Sequence, residues 1–216
     1  MPERPLAGLS ILVTRPREQG AVLAQALCAA GADAIEFPVL EIVALVPAEA
    51  RSSTARIDAV IFVSVNAVHH GVGRVRAFGD LPADATVFAI GGATASALRE
   101  AGYANVVSPQ QKIDSEGLLA LPQLHAIEGK HIILVRGKSE QGGRKLLETA
   151  LAARGAQVTI LECYQRRIAS PDAGLLNAVT AKLRDGRLAV VMALSVETLD
   201  ALTVLLAPVA AQLRAA

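Results

Sequence analysis

A chain of 216 residues with a formal net charge of +1 has no strong field to draw it to nucleic acid or to a membrane surface. Hydrophobic residues make up 52% of it, which excludes a disordered chain, and no apolar run reaches the ~18 residues of a membrane-spanning helix. Aromatic residues make up only 3%, which leaves few surfaces for stacking bases or flat cofactors. We therefore expect a globular protein of one large or two small domains.

Targeting and redox signals are few. The first five residues lack the apolar core of a signal peptide, which predicts a cytoplasmic protein. Cys28 lies in a helix pattern and Cys163 in a strand pattern, and without an export signal we expect both to be reduced core residues rather than a disulfide. No long apolar stripe is left once the core is assigned, which favours a monomer.

The first unit of a repeat begins with a short apolar strand at 11–13, which is followed by a loop at 14–20. The spacing then predicts a helix at 21–30, whose apolar face holds Val22, Leu23, Ala26 and Leu27. Gly31 supplies the left-handed stop, and the next strand begins at residue 34. We call this β-loop-α-β pattern type A.

Two further types of unit follow, and then the pattern starts again. Type B has a strand at 60–63 and a loop at 64–67, and type C has a strand at 87–90 and a loop at 91–94. Type A returns at 132–163, with the same Glu-Gln-Gly in its loop, and type B returns at 190–198. The order is A, B, C, A′, B′, and the sequence stops where a second type C unit is expected.

Short apolar strands that alternate with helices predict parallel sheets covered on both faces. The fold class we predict is α/β, with two flavodoxin-like parallel-sheet domains joined by a two-stranded β-ladder. Domain 1 comprises 1–38 and 168–216 and lacks its C unit, and domain 2 comprises 47–160. The ladder consists of 39–46 and 161–167.

Ligands of open parallel sheets bind beyond the carboxyl ends of the strands. The loops at those ends lead into helix N-termini, which favour anions, and they lie at 14–20, 64–67, 91–94, 136–144 and 195–198. Ser64, Thr94 and Ser195 could each add a hydroxyl, so the set suits a ligand with several carboxylates or phosphates. A Ser or Thr before a helix is more often a cap, and both roles stay open.

Other classes of site find little support. Residues 91–94 do not match the dinucleotide fingerprint, and no Gly-x-x-x-x-Gly-Lys motif occurs. His69 and His70 are adjacent, have no acid or Cys at ligand spacing, and are interpreted as surface residues. Basic residues flank the type A loops and could pair with carboxylates, although solvated surface charge is the commoner role; they are Arg15, Arg17, Arg136, Lys138 and Arg144.

Several short motifs occur in a fixed order. Residues 11–16 read Ile-Leu-Val-Thr-Arg-Pro, 61–67 read Ile-Phe-Val-Ser-Val-Asn-Ala, and 91–95 have the form Gly-x-x-Thr-Ala. Residues 115–118 read Ser-Glu-Gly-Leu, an Arg-Gly-x-x-x-x-Gly-Gly-Arg stretch follows at 136–144, and Tyr164 stands at the end of the last strand of the A′ unit. Over about residues 8–206, the chain resembles the uroporphyrinogen-III synthase family.

The resemblance implies two α/β domains and the linear tetrapyrrole hydroxymethylbilane as substrate. It implies loss of the hydroxymethyl oxygen as water, then closure to uroporphyrinogen III through a spiro intermediate that inverts ring D. No metal and no other cofactor is implied. The implied partners are the substrate and, by transient hand-over, the enzyme that makes it, with no nucleic acid and no membrane. Catalysis would rest mainly on holding the two ends of the linear tetrapyrrole in a reactive conformation.

Carried over residue by residue, Tyr164 is the candidate catalytic residue, because its hydroxyl could hydrogen-bond the departing hydroxyl. A Tyr at a strand end is about as often a packing residue. The candidate substrate-binding residues are Thr14, Arg15, Ser64, Asn66, Ala67, Gly92, Thr94, Arg136, Gly137, Arg144 and Ser195.

The chain departs from the family pattern in two ways. Val65, Val196 and Gly92 stand where Pro is common, and a further Gly-x-x-Thr unit is expected beyond the last helix, on the scale of a βαβ unit of roughly 30 residues. Either the sequence lacks a tail, or it is a shortened, non-catalytic relative that binds a tetrapyrrole or another polyanion. A hinged small-ligand receptor has less support, because it needs an export signal.

Overall fold

The computed structural model describes residues 4–46, 56–78, 81–138 and 145–215. Contacts divide the chain into two units, of which one holds 1–42 and 167–216 and the other holds 43–166. Helices and parallel strands alternate in both, so the predicted α/β class with parallel sheets is confirmed. None of the helices in the described ranges is both long enough and apolar enough to cross a bilayer.

The first unit is built on a three-stranded parallel sheet with the order β2-β1-β9, in which β1 is Ser10–Val13, β2 is Asp33–Glu36 and β9 is Val190–Met192. Its helices are α1 (Arg17–Ala29), α6 (Ala173–Arg184), α7 (Val196–Leu205) and the short α8 (Ala210–Ala215). All of β1 is buried. Leu12 packs with Phe37 and Leu202, whereas Ile11 and Val13 pack with Ala24 of α1. The alternation shows that both faces of β1 are covered.

The second unit holds most of a second sheet, which has the order β3-β8-β7-β4-β5-β6. Its strands are β3 (Leu40–Ala44), β4 (Ala59–Phe62), β5 (Thr86–Ala89), β6 (Val106–Val107), β7 (His131–Lys138) and β8 (Gln157–Ile168). Its helices are α2 (Val65–Phe78), α3 (Gly92–Glu100), α4 (Ser115–Leu119) and α5 (Leu146–Ala153). The strands from β8 to β6 are parallel neighbours. β3 runs antiparallel to β8, since Leu45 N–H donates to the Cys163 carbonyl and Ala169 N–H donates to the Val39 carbonyl.

The order of the strands follows the internal repeat of the sequence. In the second sheet the two strands of the A′ unit, β7 and β8, lie beside β4 of unit B, and β5 of unit C comes next. In the first sheet the two strands of unit A, β1 and β2, lie beside β9 of unit B′ in the same way. Similar sequence units therefore occupy similar sheet positions.

Several predicted boundaries were wrong. α1 begins at Arg17 instead of residue 21, because Gly20 N–H already closes a helical turn onto the Pro16 carbonyl at 2.8 Å. α3 begins at Gly92, inside the loop predicted at 91–94. The end of the A′ unit and the ladder segment predicted at 161–167 form one strand, β8. The stop predicted at Gly31 was correct, since its φ is 100°, a value that only glycine adopts readily. Gly155 ends α5 in the same way, with φ of 83°.

The buried face of α1 also differs from the prediction. Val22 is 71% exposed, and Ala26 and Cys28 are exposed, whereas Ala24 is buried. Ala24 packs on β1 together with the partly buried Leu23 and Leu27. Small residues on most sides of this helix made its periodicity ambiguous, so Cys28 was wrongly placed in the core. Cys163, by contrast, is buried as predicted.

Two glycines of α2 allow a test of how tightly this helix packs on the sheet. A Cβ at Gly71 would lie 2.4 Å from Cγ1 of Val135, whereas a Cβ at Gly73 would meet nothing within 4 Å. We expect Gly71→Ala to lower the free energy of unfolding by about 1–3 kcal/mol through overpacking. Gly73→Ala should raise it by up to about 1 kcal/mol through helix propensity. Urea unfolding of both variants checks this, and equal shifts would contradict the packing of α2.

Candidate functional site

Three residues of the second unit meet at the carboxyl ends of adjacent strands. Ser64 follows β4, Gly137 lies near the end of β7, and Tyr164 lies in β8. Since β7 stands between β4 and β8, these residues come from consecutive positions across the sheet. All of them were predicted site residues, and the structure brings them into contact.

Tyr164 points back across the sheet toward the start of α2. Its hydroxyl lies 3.1 Å from Ser64 Oγ, and its ring centroid lies 5.8 Å from that of His70 on α2. The side chain is only 5% exposed. Tyr164 is therefore held at both ends of its ring, by a neighbouring ring and by a hydrogen bond.

Ser64 also caps α2. Its Oγ accepts a hydrogen bond from the Ala67 backbone N–H at 3.0 Å, which is the side-chain cap that the sequence left open as one of two roles. One lone pair of Ser64 is thereby occupied. Whichever of Ser64 and Tyr164 donates to the other, one hydroxyl proton remains on the pair for an outside acceptor. The pair can thus donate one further hydrogen bond.

The register between β7 and β8 shifts at this point. Arg136 pairs with Glu162, and Gly137 then pairs with Tyr164, so Cys163 has no partner on β7. Adjacent residues of a strand normally point to opposite faces. Here Cys163 Sγ contacts the Ala67 carbonyl at 3.8 Å while the Tyr164 ring contacts His70, so both side chains face α2. The shift re-aims Tyr164.

Arg136 is tied to carboxylates of its own unit. It lies 3.3 Å from Glu162 and 3.6 Å from Glu148. Its Nε is buried and has no hydrogen-bond partner in the part of the chain that the structure describes. Arg74 of α2 donates to the Glu162 carbonyl beside it. Arg136 is therefore paired with two carboxylates of its own unit.

The N-terminus of α3 lies at the end of β5, the strand beside β4. Its N-cap is Gly91, which has no side chain to accept from the first N–H groups of the helix. Gly92 and Ala93 are exposed, whereas Thr94 is buried. The uncapped N–H groups of α3 are available to an anion.

The remaining predicted residues of the first unit lie at the ends of β1 and β9. Thr14 is buried and donates to the Met192 carbonyl, and Arg15 contacts Gln19 at 2.9 Å. Ser195 Oγ accepts from the Thr198 N–H at 3.1 Å and caps α7, as Ser64 caps α2. The repeat therefore extends to the hydrogen bonds of the two capping serines.

Two further residues were predicted to bind substrate. Arg144 lies outside the described residues, and Asn66 is half-buried in the first turn of α2. Within the described ranges, no group of three or more His, Cys, Asp or Glu is arranged to hold a metal ion.

His70 is the residue that sequence reasoning missed. It was interpreted as a surface residue, yet its ring is half-buried beside Tyr164. The helix pattern carried a usable signal, because His70 is three residues after the buried Ala67 and so shares its face.

Comparisons with known proteins agree in identifying relatives of one kind. The family model described as uroporphyrinogen-III synthase HemD matches residues 21–216. The chain is 39% identical over 163 residues to the uroporphyrinogen-III synthase of Salmonella typhimurium and 37% identical over 166 residues to that of Escherichia coli. Each match covers 73% of this chain and 65% of the relative, so the chain spans just under two thirds of the length of these curated relatives.

A solved structure is also similar. A crystal structure of a mutant uroporphyrinogen III synthase from Thermus thermophilus matches with a TM-score of 0.58 at 25% identity. The match covers 94% of this chain and 79% of that one.

The burial of Cys163 beside the site predicts how its thiol reacts. Burial raises the pKa of Cys163 to about 11, so little thiolate forms at pH 8, whereas Cys28 is exposed. We expect a thiol reagent at pH 8 to label one of the two cysteines in the folded protein and both in urea. A Cys28→Ser control should leave the folded protein unlabelled. Fast labelling of that control would contradict the packing at Cys163.

Proposed function

Because the chain belongs to the uroporphyrinogen-III synthase family, we propose that it closes hydroxymethylbilane to uroporphyrinogen III with loss of water and inversion of ring D. The observation that carries the proposal is the Tyr164–Ser64 pair, a shielded hydroxyl donor at the carboxyl edge of the sheet. Tetrapyrrole biosynthesis is the process that such a reaction serves.

Tyr164 is the proposed catalytic residue. Hydroxide is a poor leaving group, so the C–O bond of the hydroxymethyl group breaks more easily when its oxygen accepts a hydrogen bond or a proton. The remaining hydroxyl proton of the Tyr164–Ser64 pair supplies that donor. The oxygen leaves as water, and the proton is replaced when the pyrrole rings lose one on closure. The step consumes no oxidant or reductant.

The substrate carries eight carboxylates, and the proposed partners for them are mostly backbone N–H groups. The side-chain cap is absent from the N-termini of α1 and α3, where Pro16 and Gly91 are the N-cap residues. Uncapped N–H groups and the helix dipole favour a carboxylate. Arg15 and Gly92 lie beside these ends, so we propose that both contact the substrate.

The proposed substrate-binding set is otherwise the one given by the family motifs: Thr14, Ser64, Asn66, Ala67, Thr94, Arg136, Gly137, Arg144 and Ser195. We further propose that the two units are flavodoxin-like domains joined by a ladder of β3 and β8. If the strands are numbered from the start of the A′ unit, β7 is 1, β8 is 2, β4 is 3, β5 is 4 and β6 is 5. Their order across the sheet is then 2-1-3-4-5, the flavodoxin order, which supports the proposed fold. A cytoplasmic monomer that receives its substrate from the enzyme that makes it completes the proposal.

A coupled assay tests the reaction directly. Hydroxymethylbilane is generated enzymatically, this protein is added, and the uroporphyrin isomers are separated after oxidation. We expect mostly type III, because the free substrate closes without inversion to type I. The matched control is the same mixture without the protein. Type I alone in both mixtures would overturn the proposed activity and leave a non-catalytic relative.

A charge placed at the N-terminus of α3 tests carboxylate binding there. Ala93 is exposed in the first turn of this helix. We expect Ala93→Glu to raise KM about fivefold, since a like charge ~4 Å away costs about 1 kcal/mol in water. Stability should not fall, because an acid suits a helix N-terminus. Ala93→Gln is the uncharged control and should leave KM close to the parent value, and equal KM values for the two variants would contradict binding at α3.

A further inference from the structure

Gly137 lies directly under the ring of Tyr164. A Cβ built on Gly137 would lie 2.6 Å from Cζ and 2.7 Å from Cε2 of that ring, and 3.0 Å from its hydroxyl oxygen. Contacts under 3.0 Å force one of the groups to move. Any side chain at position 137 would therefore displace the ring from its present place.

The backbone conformation does not explain the glycine. The glycines with positive φ in the described ranges are residues 8, 31, 102, 129, 155 and 186, and Gly137 is not among them. Residue 137 lies in β7 and pairs with Tyr164 directly after the register shift. Other residues could adopt this backbone, so the ring above it is what excludes a side chain.

The space above Gly137 is occupied by the Tyr164 side chain, which crosses β7 to reach Ser64. Tyr164 lies in β8 and Ser64 follows β4, and β7 runs between those strands. To reach Ser64 Oγ at 3.1 Å, the ring must pass over β7, and it does so at Gly137. The register shift places Gly137 opposite Tyr164 and leaves Cys163 unpaired.

We infer that Gly137 is a positioning residue. Because it has no side chain, the Tyr164 ring can cross β7 and its hydroxyl can reach Ser64. The catalytic consequence rests on the proposed function, but the geometry can be measured without any turnover. This role is separate from the proposed contact of Gly137 with substrate, because it acts through the Tyr164 side chain.

Tyrosine fluorescence gives a readout of the geometry. The chain has two Tyr and no Trp, and Tyr103 has a buried hydroxyl with no hydrogen-bond partner in the described part of the chain. Tyr103→Phe therefore leaves Tyr164 as the sole emitter with little disturbance. In that background we expect acrylamide to quench Tyr164 weakly, and Gly137→Ala to raise the quenching constant at least twofold. Gly73→Ala is the matched control and should change nothing, because its Cβ meets no atom within 4 Å.

Activity provides a second arm. We expect Gly137→Ala to lower kcat as far as Tyr164→Phe does, about 10²-fold, and the double variant to be no slower than either single variant. Multiplicative losses would overturn positioning through the Tyr164 hydroxyl. Full kcat in Tyr164→Phe would instead contradict the proposed role of that hydroxyl, while the quenching result would still decide the role of Gly137.

Urea unfolding of a double variant covers the case in which Gly137→Ala does not fold. Removing the ring with Tyr164→Ala should then restore a cooperative urea transition in the double variant, because the added methyl group no longer meets a ring. A double variant that unfolds as readily as Gly137→Ala alone would overturn the inference, and so would unchanged quenching of Tyr164 in a folded Gly137→Ala variant.

Discussion

Burial of the central strands on both faces is the constraint on which the second unit depends. All of β4 and the first five residues of β7 are buried, with Ile61 and Leu134 in the cluster that includes Leu118 and Leu151. Apolar side chains fill most of these strands, and most polar groups of the candidate site lie at or beyond the strand ends. Because the strands are parallel, their carboxyl ends meet at one edge, and the hydroxyls and glycines gather there. The location of the candidate site follows from the packing of the core.

In each unit, most polar side chains of the candidate site residues already have partners within that unit. Ser64 and Ser195 cap helices, and Arg136 lies between two carboxylates. In the first unit, Arg15 and the uncapped N–H groups of α1 remain for a ligand. In the second unit, the uncapped N–H groups of α3 and one hydroxyl proton of the Tyr164–Ser64 pair remain. Oriented N–H dipoles of this kind can bind a carboxylate without a buried cation beside it.

The parts of this structure that could be predicted from sequence are those governed by local pattern. Apolar strands, glycine stops and the ordered motifs gave the α/β class, the repeat and the positions of Ser64 and Tyr164. The buried face of α1 could not be predicted. An Ala-rich stretch is compatible with several hydrophobic periodicities, and tertiary contacts decide which face is buried. The contact of His70 with Tyr164 was also missed, because it depends on a register shift between β7 and β8 that no motif in either strand reveals.

The cap at Ser64 has a wider consequence for the tyrosine it contacts. A hydroxyl that extends from a central strand and is tied to the first turn of a helix gives up its rotational freedom when the chain folds. No further ordering entropy is then lost when a ligand arrives, in contrast to a donor carried on a surface loop. The folding free energy of the second unit therefore offsets the entropy cost of preorganising this hydroxyl. We expect a variant that loosens the core to lose ligand affinity before it loses its fold.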